Sequence, residues 1–211
     1  MKSILEYMKI LHLSDTHGCH RRLTRMPEAD ILIHSGDVSL NGSEREVLDF
    51  LSWFCDLEGY RHKVWIGGNH DFCLAGASIS GMNANCHYLC NSEIEIEGLT
   101  IYGVPLFMAS TIVGKMKTLV DRIPSDTDIL VSHQPPYGIL DETIGVHYGS
   151  EALLAKVSAV QPRLHLFGHN HGGYGQYSHK WADTGNTTLF VNSVILNGDY
   201  ELINEPQLIE V

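Results

Sequence analysis

Short apolar runs separated by polar or glycine-containing breaks fill the first two-thirds of the chain. Residues 10–13, 31–34, 64–66, 129–131 and 164–167 are apolar on both faces, the pattern of strands buried inside an α/β core. Met8 opens the first run, and the seven residues before it read as an extension or an alternative start. Between the runs the period changes. Residues 44–57 place Val47, Leu48, Leu51 and Phe54 at helical spacing behind Ser43, a suitable N-cap. Residues 150–160 repeat this with Leu153, Leu154 and Val157. Strands alternating with helices predict an α/β domain.

Residues 93–103 have another texture. Glutamates alternate with isoleucines up to Glu97-Gly98, as in a half-exposed hairpin. Residues 187–191, 194–196 and 207–211 are strand-like again, with no helix between them. The pattern therefore predicts two sheets, one more parallel and one more antiparallel, packed face to face with helices outside. No repeat, low-complexity tract or linker interrupts it, so residues 1–211 read as one domain.

Composition excludes several classes. Apolar residues make up 44% and charged residues 18%, which is the usage of a folded globular protein. Acidic residues outnumber basic ones 25 to 14, and the resulting charge of −11 offers no footprint for a long phosphate backbone. An anionic substrate must then be attracted locally. No apolar run approaches a membrane span. Glu6, Lys9 and His12 interrupt the N-terminal apolar stretch, which runs straight into Asp15 and does not read as a signal peptide. Five cysteines at irregular spacing predict reduced thiols and a cytoplasmic location. Cys86 and Cys90 flank His87 like half a zinc site, but the other half is missing, so a strand with incidental cysteines is expected there.

The candidate chemistry sits at the ends of the apolar runs. Asp15-Thr16-His17, Gly36-Asp37, Gly68-Asn69-His70-Asp71, Ser132-His133 and Gly168-His169-Asn170-His171 follow one another along the chain. Residues leaving the edge of a sheet converge there, and Asp, His and Asn donors suit a pair of borderline divalent metals. Asp37 is the expected bridge, beside a glycine that lets backbone approach closely. Asp15 and His17 serve one metal together. Asn69 supplies a neutral oxygen, and His133, His169 and His171 complete the shells, the last two each facing a different metal. His70 fills neither shell and is expected to reach the substrate, protonating the leaving group or stabilising charge. Water activated on the metals is the expected nucleophile, with no covalent intermediate.

Other polar residues have plainer readings. Asp71 is expected to anchor its loop through backbone hydrogen bonds. His12, His34 and His165 lie inside strands and are expected as buried histidines serving the core or bracing ligands. His20, His62, His87, His147 and His179 are placed on the surface or in loops, with His147, Tyr148 and Tyr174 as candidates to line a substrate pocket.

The ordered blocks D-x-H, G-D, G-N-H-[DE], a lone His and G-H-x-H resemble the calcineurin-like metallophosphoesterase superfamily, over residues 8–211. That resemblance implies a four-layer α/β/β/α sandwich. It also implies a division of ligands: Asp15, His17, Asp37 and His171 on one ion, Asp37, Asn69, His133 and His169 on the other, with His70 catalytic. The ions would be two divalent metals, manganese first, with Fe, Zn, Ni or Mg as alternatives. Segments 85–89, 99–105, 164–175 and 190–193, with Tyr200 and residues 204–206, are similar to the MPPED-type phosphodiesterase branch. Some members of that branch replace a ligand histidine by glycine, whereas His169 and His171 are both present here. Residues 36–39 and Gly67 lack the arginines of the Ser/Thr protein phosphatases, which argues against phosphoprotein substrates. The expected activity is hydrolysis of a small phosphodiester, cyclic nucleotides among the candidates, by a metal-bridging hydroxide. Neither a membrane nor a long nucleic acid is an expected partner. A phosphomonoesterase or nuclease of the superfamily is the alternative, and a non-catalytic scaffold the remaining one.

Overall fold

The computed structural model describes residues 7–107, 114 and 116–211. Strands β1 (Lys9–Leu13), β2 (Ile31–His34), β3 (His62–Trp65) and β4 (Cys86–Tyr88) run parallel in one sheet. β5 (Ser92–Ile96) and β6 (Leu99–Val104) form the expected hairpin at one edge of a second sheet. Its turn places Glu97 (φ 51°) and Gly98 (φ 78°) in the left-handed region, the type I′ geometry that matches strand twist. β7 (Ile129–Ser132), β10 (Leu164–Phe167) and β12 (Thr187–Asn192) continue that sheet in parallel, and β11 (Gly175–Lys180) closes its other edge antiparallel to β12. A small hairpin, β8 (Glu142–Thr143) with β9 (Val146–His147), stands apart, and β13 (Gln207–Glu210) returns antiparallel to β1. Both sheets are mixed, so the expected contrast between them is one of degree.

Strand alternation builds three apolar layers. Ile10, Ile33, Val64 and Ile66 meet Ile101, Val131, Leu166 and Val191 between the sheets. Helix α1 (Glu44–Asp56) packs Val47, Phe50 and Phe54 on Leu11, Leu13 and Leu32 of the first sheet. Helices α2 (Met116–Asp121) and α3 (Glu151–Val160) cover Tyr102, Leu130, Phe167 and Phe190 of the second. The order is α/β/β/α. Each fully buried Phe contributes about 1.5–3 kcal/mol of transfer free energy before entropy is subtracted.

Local signals set the helix starts. Ser43 accepts from Glu46 N while the Glu46 carboxylate accepts from Ser43 N, a reciprocal cap for α1, and Ser150 caps α3 through Leu153 N. Phe50 rather than Leu48 fills the core face of α1, and Leu48 is exposed. All five cysteines are free, and Cys86 lies in β4 as expected. Among the described residues no helix is long and apolar enough to cross a membrane.

Some expectations fail. Residues 194–196 are not a strand but make isolated bridges, Ser14 to Val194 and Leu196 to Leu202. This segment instead stitches the sheets together, with Ser193 N on Phe167 O and Ser14 N on Ser193 O. His20 is fully buried, packed on Phe50 and Trp53 with Nε2 at 3.1 Å from Asp49. It sits in a single 3-10 turn, too short to show a periodicity. His62, His87 and His179 are half-buried in strands rather than loops, and His147 is exposed on β9.

Candidate metal centre

The site forms where parallel strands of both sheets end side by side. Asp15 and His17 follow β1, Asp37 follows β2, Asn69 and His70 follow β3, His133 follows β7, and His169 and His171 follow β10. Asp15 (φ 57°), His17 (φ 42°), Asp37 (φ 56°) and His169 (φ 66°) adopt left-handed backbone conformations. Such residues are uncommon outside glycine and cluster where surrounding structure holds a functional geometry. The surroundings here are other loops. Asp15 N donates to Gly36 O and His17 N to Asp37 O, which locks the first two loops together. At Gly36 (φ 103°) a Cβ would lie 2.6 Å from His133 Nδ1, so this close approach needs glycine.

Both carboxylates divide their oxygens in the same way. Asp15 Oδ2 accepts from His169 N at 2.9 Å, and Asp37 Oδ1 accepts from His70 N at 2.8 Å. The other oxygens face imidazoles. Asp15 Oδ1 lies 3.9 Å from His17 Nε2 and 3.8 Å from His171 Nε2. Asp37 Oδ2 lies 3.7 Å from His17 Nε2 and 3.4 Å from His133 Nε2. Among the described residues three groups of ligand atoms result, each within 4.8 Å of one another: Asp15, His17 and His171; Asp37, His133 and His169; and, between them, His17, Asp37 and His70. Asn69 Oδ1 joins the second group, 3.0 Å from His133 Nε2.

The donors fit divalent cations. His17 Nδ1 faces Ser39 O at 3.1 Å, His133 Nδ1 faces Ser35 O at 2.8 Å, and His171 Nδ1 faces Leu196 O and Asn197 O, both at 2.9 Å. Carbonyls accept only, so each Nδ1 carries a proton, and each ring aims its Nε2 inward, where it can bind a metal once that nitrogen is free of a proton. Asp15 Oδ1 and His17 Nε2 are buried without a hydrogen-bond partner. His133 Nε2, Asn69 Oδ1 and Asp37 Oδ2 likewise converge on one point, where a proton or a metal ion has to join them. Buried acceptors facing each other are costly, and a divalent cation is what relieves them.

Electrostatics follow the same contacts. Burial alone would raise the Asp37 carboxyl, but His133, His17 and the His70 amide hold it well below its ordinary range. Burial opposes protonation of His133, yet Asp37 prevails and pushes its pKa up to about 9. His169, buried and beside His133, falls to about 4. Asp71 is raised to about 6 by burial and the nearby Asp37. It anchors its loop as expected, accepting from Val38 N, Ser39 N, Ser39 Oγ and Gly68 N.

A cavity of about 240 Å³ opens beside the cluster, lined by Thr143, Tyr148, His169, Asn170, His171, Gly198 and Tyr200. Tyr148 lines it as the sequence suggested. His147 instead bonds Asp141, and the Tyr174 hydroxyl donates to Glu205 O. Tyr200 (φ 60°) rests edge-on against His17, ring centroids 4.9 Å apart, and beside His171 at 5.7 Å. Sequence reasoning assigned it no role. The preceding Asn197-Gly198-Asp199 turn marks the loop but not which way its tyrosine faces. Asn170 is buried and staples the β8–β9 hairpin to the site, bonded by Thr143 Oγ1 and donating to Leu140 O and Glu142 O.

Comparison with known proteins agrees with this geometry. The profile of the calcineurin-like phosphoesterases matches residues 8–173. The chain belongs to the calcineurin-like phosphoesterase family. Human metallophosphoesterase domain-containing protein 1 is 30% identical over 243 residues, covering 97% of this chain and 71% of its own length, and the mouse protein of that name matches equally. These relatives agree with the MPPED-type likeness. Among solved structures, TT1561 of Thermus thermophilus superposes with a TM-score of 0.57 at 15% identity, covering 87% of this chain and 88% of that one. That likeness is one of fold. Membership in this phosphoesterase family, with these candidate ligand clusters, makes the protein a candidate metal-dependent phosphoester hydrolase.

Proposed function

We propose that the protein is a binuclear-metal phosphodiesterase acting on a small diester, with cyclic nucleotides among the candidates. The observation that carries this reading is the position of Asp37, whose Oδ2 faces His17 of one donor group and His133 of the other. Asp15, His17, Asp37 and His171 would hold one ion, and Asp37, Asn69, His133 and His169 the second. Two divalent ions, when bound, supply Lewis-acid polarisation of the phosphoryl oxygens and an activated water nucleophile. The protein's own groups do the rest. His70 donates its Nδ1–H to Leu40 O at 2.9 Å, which fixes its ring and leaves Nε2 for the substrate. From there, beside His17 and Asp37, the doubly protonated ring hands its Nε2 proton to the departing oxygen and keeps the Nδ1–H on Leu40 O.

The adjacent cavity favours a diester. Among the described residues no lysine or arginine lines it, and Tyr148, Tyr200 and Thr143 offer ring faces and hydroxyls. A diester has one charge and two organic arms, which suits such walls better than a monoester dianion. The net charge of −11 disfavours a nuclease acting on long substrates. A non-catalytic scaffold would have no use for a complete donor set.

The test strips the protein with chelator, restores Mn²⁺, and compares a chromogenic diester, a monoester, and 2′,3′- and 3′,5′-cyclic nucleotides, with His70→Ala as control. Diester turnover that depends on metal and on His70 is expected. Monoester turnover well above diester turnover would overturn the diester assignment.

A further inference from the structure

Besides His20, which bonds the Asp49 carboxylate, three histidines outside the ligand set are fully buried, all in strands: His12 on β1, His34 on β2 and His165 on β10. Strand alternation sends them to different layers. His12 shares the face between the sheets with Ile10, His34 lies under α1 against Phe50 (ring centroids 5.0 Å apart), and His165 faces Phe167 and Phe190 on the outer side of the second sheet. An aromatic or aliphatic side chain would fill each of these places with less cost. His12 and His165 each leave Nδ1 buried without a partner, which weakens a core. Their other nitrogens point to one kind of group. His12 Nε2 meets Ser35 Oγ at 2.9 Å, His34 Nε2 meets Thr16 Oγ1 at 3.1 Å, and His165 Nε2 meets Ser132 Oγ at 2.8 Å.

Every one of those hydroxyl residues touches or adjoins a candidate ligand. Ser132 precedes His133, and its hydroxyl donates to Gln134 O at 2.8 Å, bridging across His133. With that proton engaged, the His165 Nε2–H must be the donor to Ser132. Ser35 supplies the carbonyl that takes the His133 Nδ1–H at 2.8 Å. Thr16 stands between Asp15 and His17, the two strained residues of the first loop. Gly36 N donates to His34 Nδ1 at 3.2 Å, so His34 in turn donates its Nε2–H to Thr16.

We propose that these buried imidazole–hydroxyl pairs are positioning devices, one set for each ion. His165–Ser132 and His12–Ser35 hold the ring plane and Nδ1–H tautomer of His133, and His34–Thr16 holds Asp15 and His17. The proposal rests on the two-ion reading above, and it assigns the two sets to different ions.

Calorimetric titration of Mn²⁺ into chelator-stripped full-length protein tests it. Ser132→Ala and His165→Phe are expected to weaken one ion by about 10–100-fold and leave the other unchanged. Thr16→Val and His34→Phe are expected to weaken the other ion. Combining Ser132→Ala with Thr16→Val should weaken both, whereas adding His165→Phe to Ser132→Ala should add little, because coupled groups are not additive. His165→Gln, which keeps a donor, should recover most of the affinity, as no purely space-filling role would allow. Imidazole ¹⁵N spectra of the metal-free protein, recorded at about pH 10 so that the His133 ring is neutral, give a second readout: a single Nδ1–H tautomer at His133 in the wild type, and a mixture in Ser132→Ala, the variant least able to disturb folding. Wild-type affinity for both ions and unchanged His133 signals in every variant, with only the melting temperature lowered, would overturn the proposal. A wild type that binds fewer than two ions would refute the two-ion reading, and the tautomer comparison alone would then decide whether the pair positions His133.

Discussion

Replacing Glu46 by alanine removes a carboxylate on which the loop before α1 is built. Its Oε1 accepts from Leu40 N and Asn41 N, both at 3.1 Å, and its Oε2 accepts from Ser43 N at 3.1 Å and Ser43 Oγ at 2.6 Å. Burial alone would raise its pKa. The Ser43 hydroxyl and the amides of Asn41, Ser43 and Leu40 prevail and bring it from 4.5 to about 2. At 1.36 kcal/mol per pH unit that preference for the charged form is worth about 3 kcal/mol. The carboxylate is partly open to water, so we expect about half, 1–2 kcal/mol. Because the folded pKa lies below the unfolded one, this stability is complete above pH 4.5 and disappears as pH falls from 4.5 towards 2. Urea unfolding of chelator-stripped wild type and Glu46→Ala checks this from neutral pH down to the lowest pH at which the wild type stays folded. The two should differ by about 1–2 kcal/mol at neutrality, and the gap should narrow below pH 4.5. A gap that stays constant with pH, or one under about 0.3 kcal/mol at neutrality, would refute the reasoning. Since Leu40 O holds His70 Nδ1, turnover of the variant should fall several-fold with ion binding intact.

Three further outcomes follow from named contacts. Asp71→Ala leaves three backbone amides and a serine hydroxyl without their buried acceptor, and should cost about 2–4 kcal/mol in urea unfolding. His70→Ala should lower kcat by about 10²–10⁴ while calorimetry still counts two ions, and loss of an ion would make His70 a ligand instead. Tyr200→Ala removes an exposed ring from the cavity wall, so KM for a diester with an aromatic arm should rise about 2–10-fold with kcat unchanged. An equal rise for a diester with only small aliphatic arms would remove the proposed ring contact.

Periodicity alone determined the buried strands, both long helices and the β5–β6 hairpin, because each of these buries a face whose spacing is written in consecutive residues. The same local grammar placed the D-x-H, G-D, G-N-H-D and G-H-x-H blocks at strand ends, where convergence was foreseeable. It was blind to β11, a polar edge strand with mostly exposed residues, and to the β8–β9 hairpin, whose two-residue strands are too short to show an alternation. It misjudged His20, since one 3-10 turn has no period to betray its burial. Only the tertiary structure decided how the donors are aimed. The carbonyl that fixes His133 comes from Ser35, 98 positions away, and those that fix His171 come from Leu196 and Asn197. A side chain's chemistry is local to its residue, but its tautomer, its ring plane and its unpaired oxygen belong to whatever the fold sets beside it.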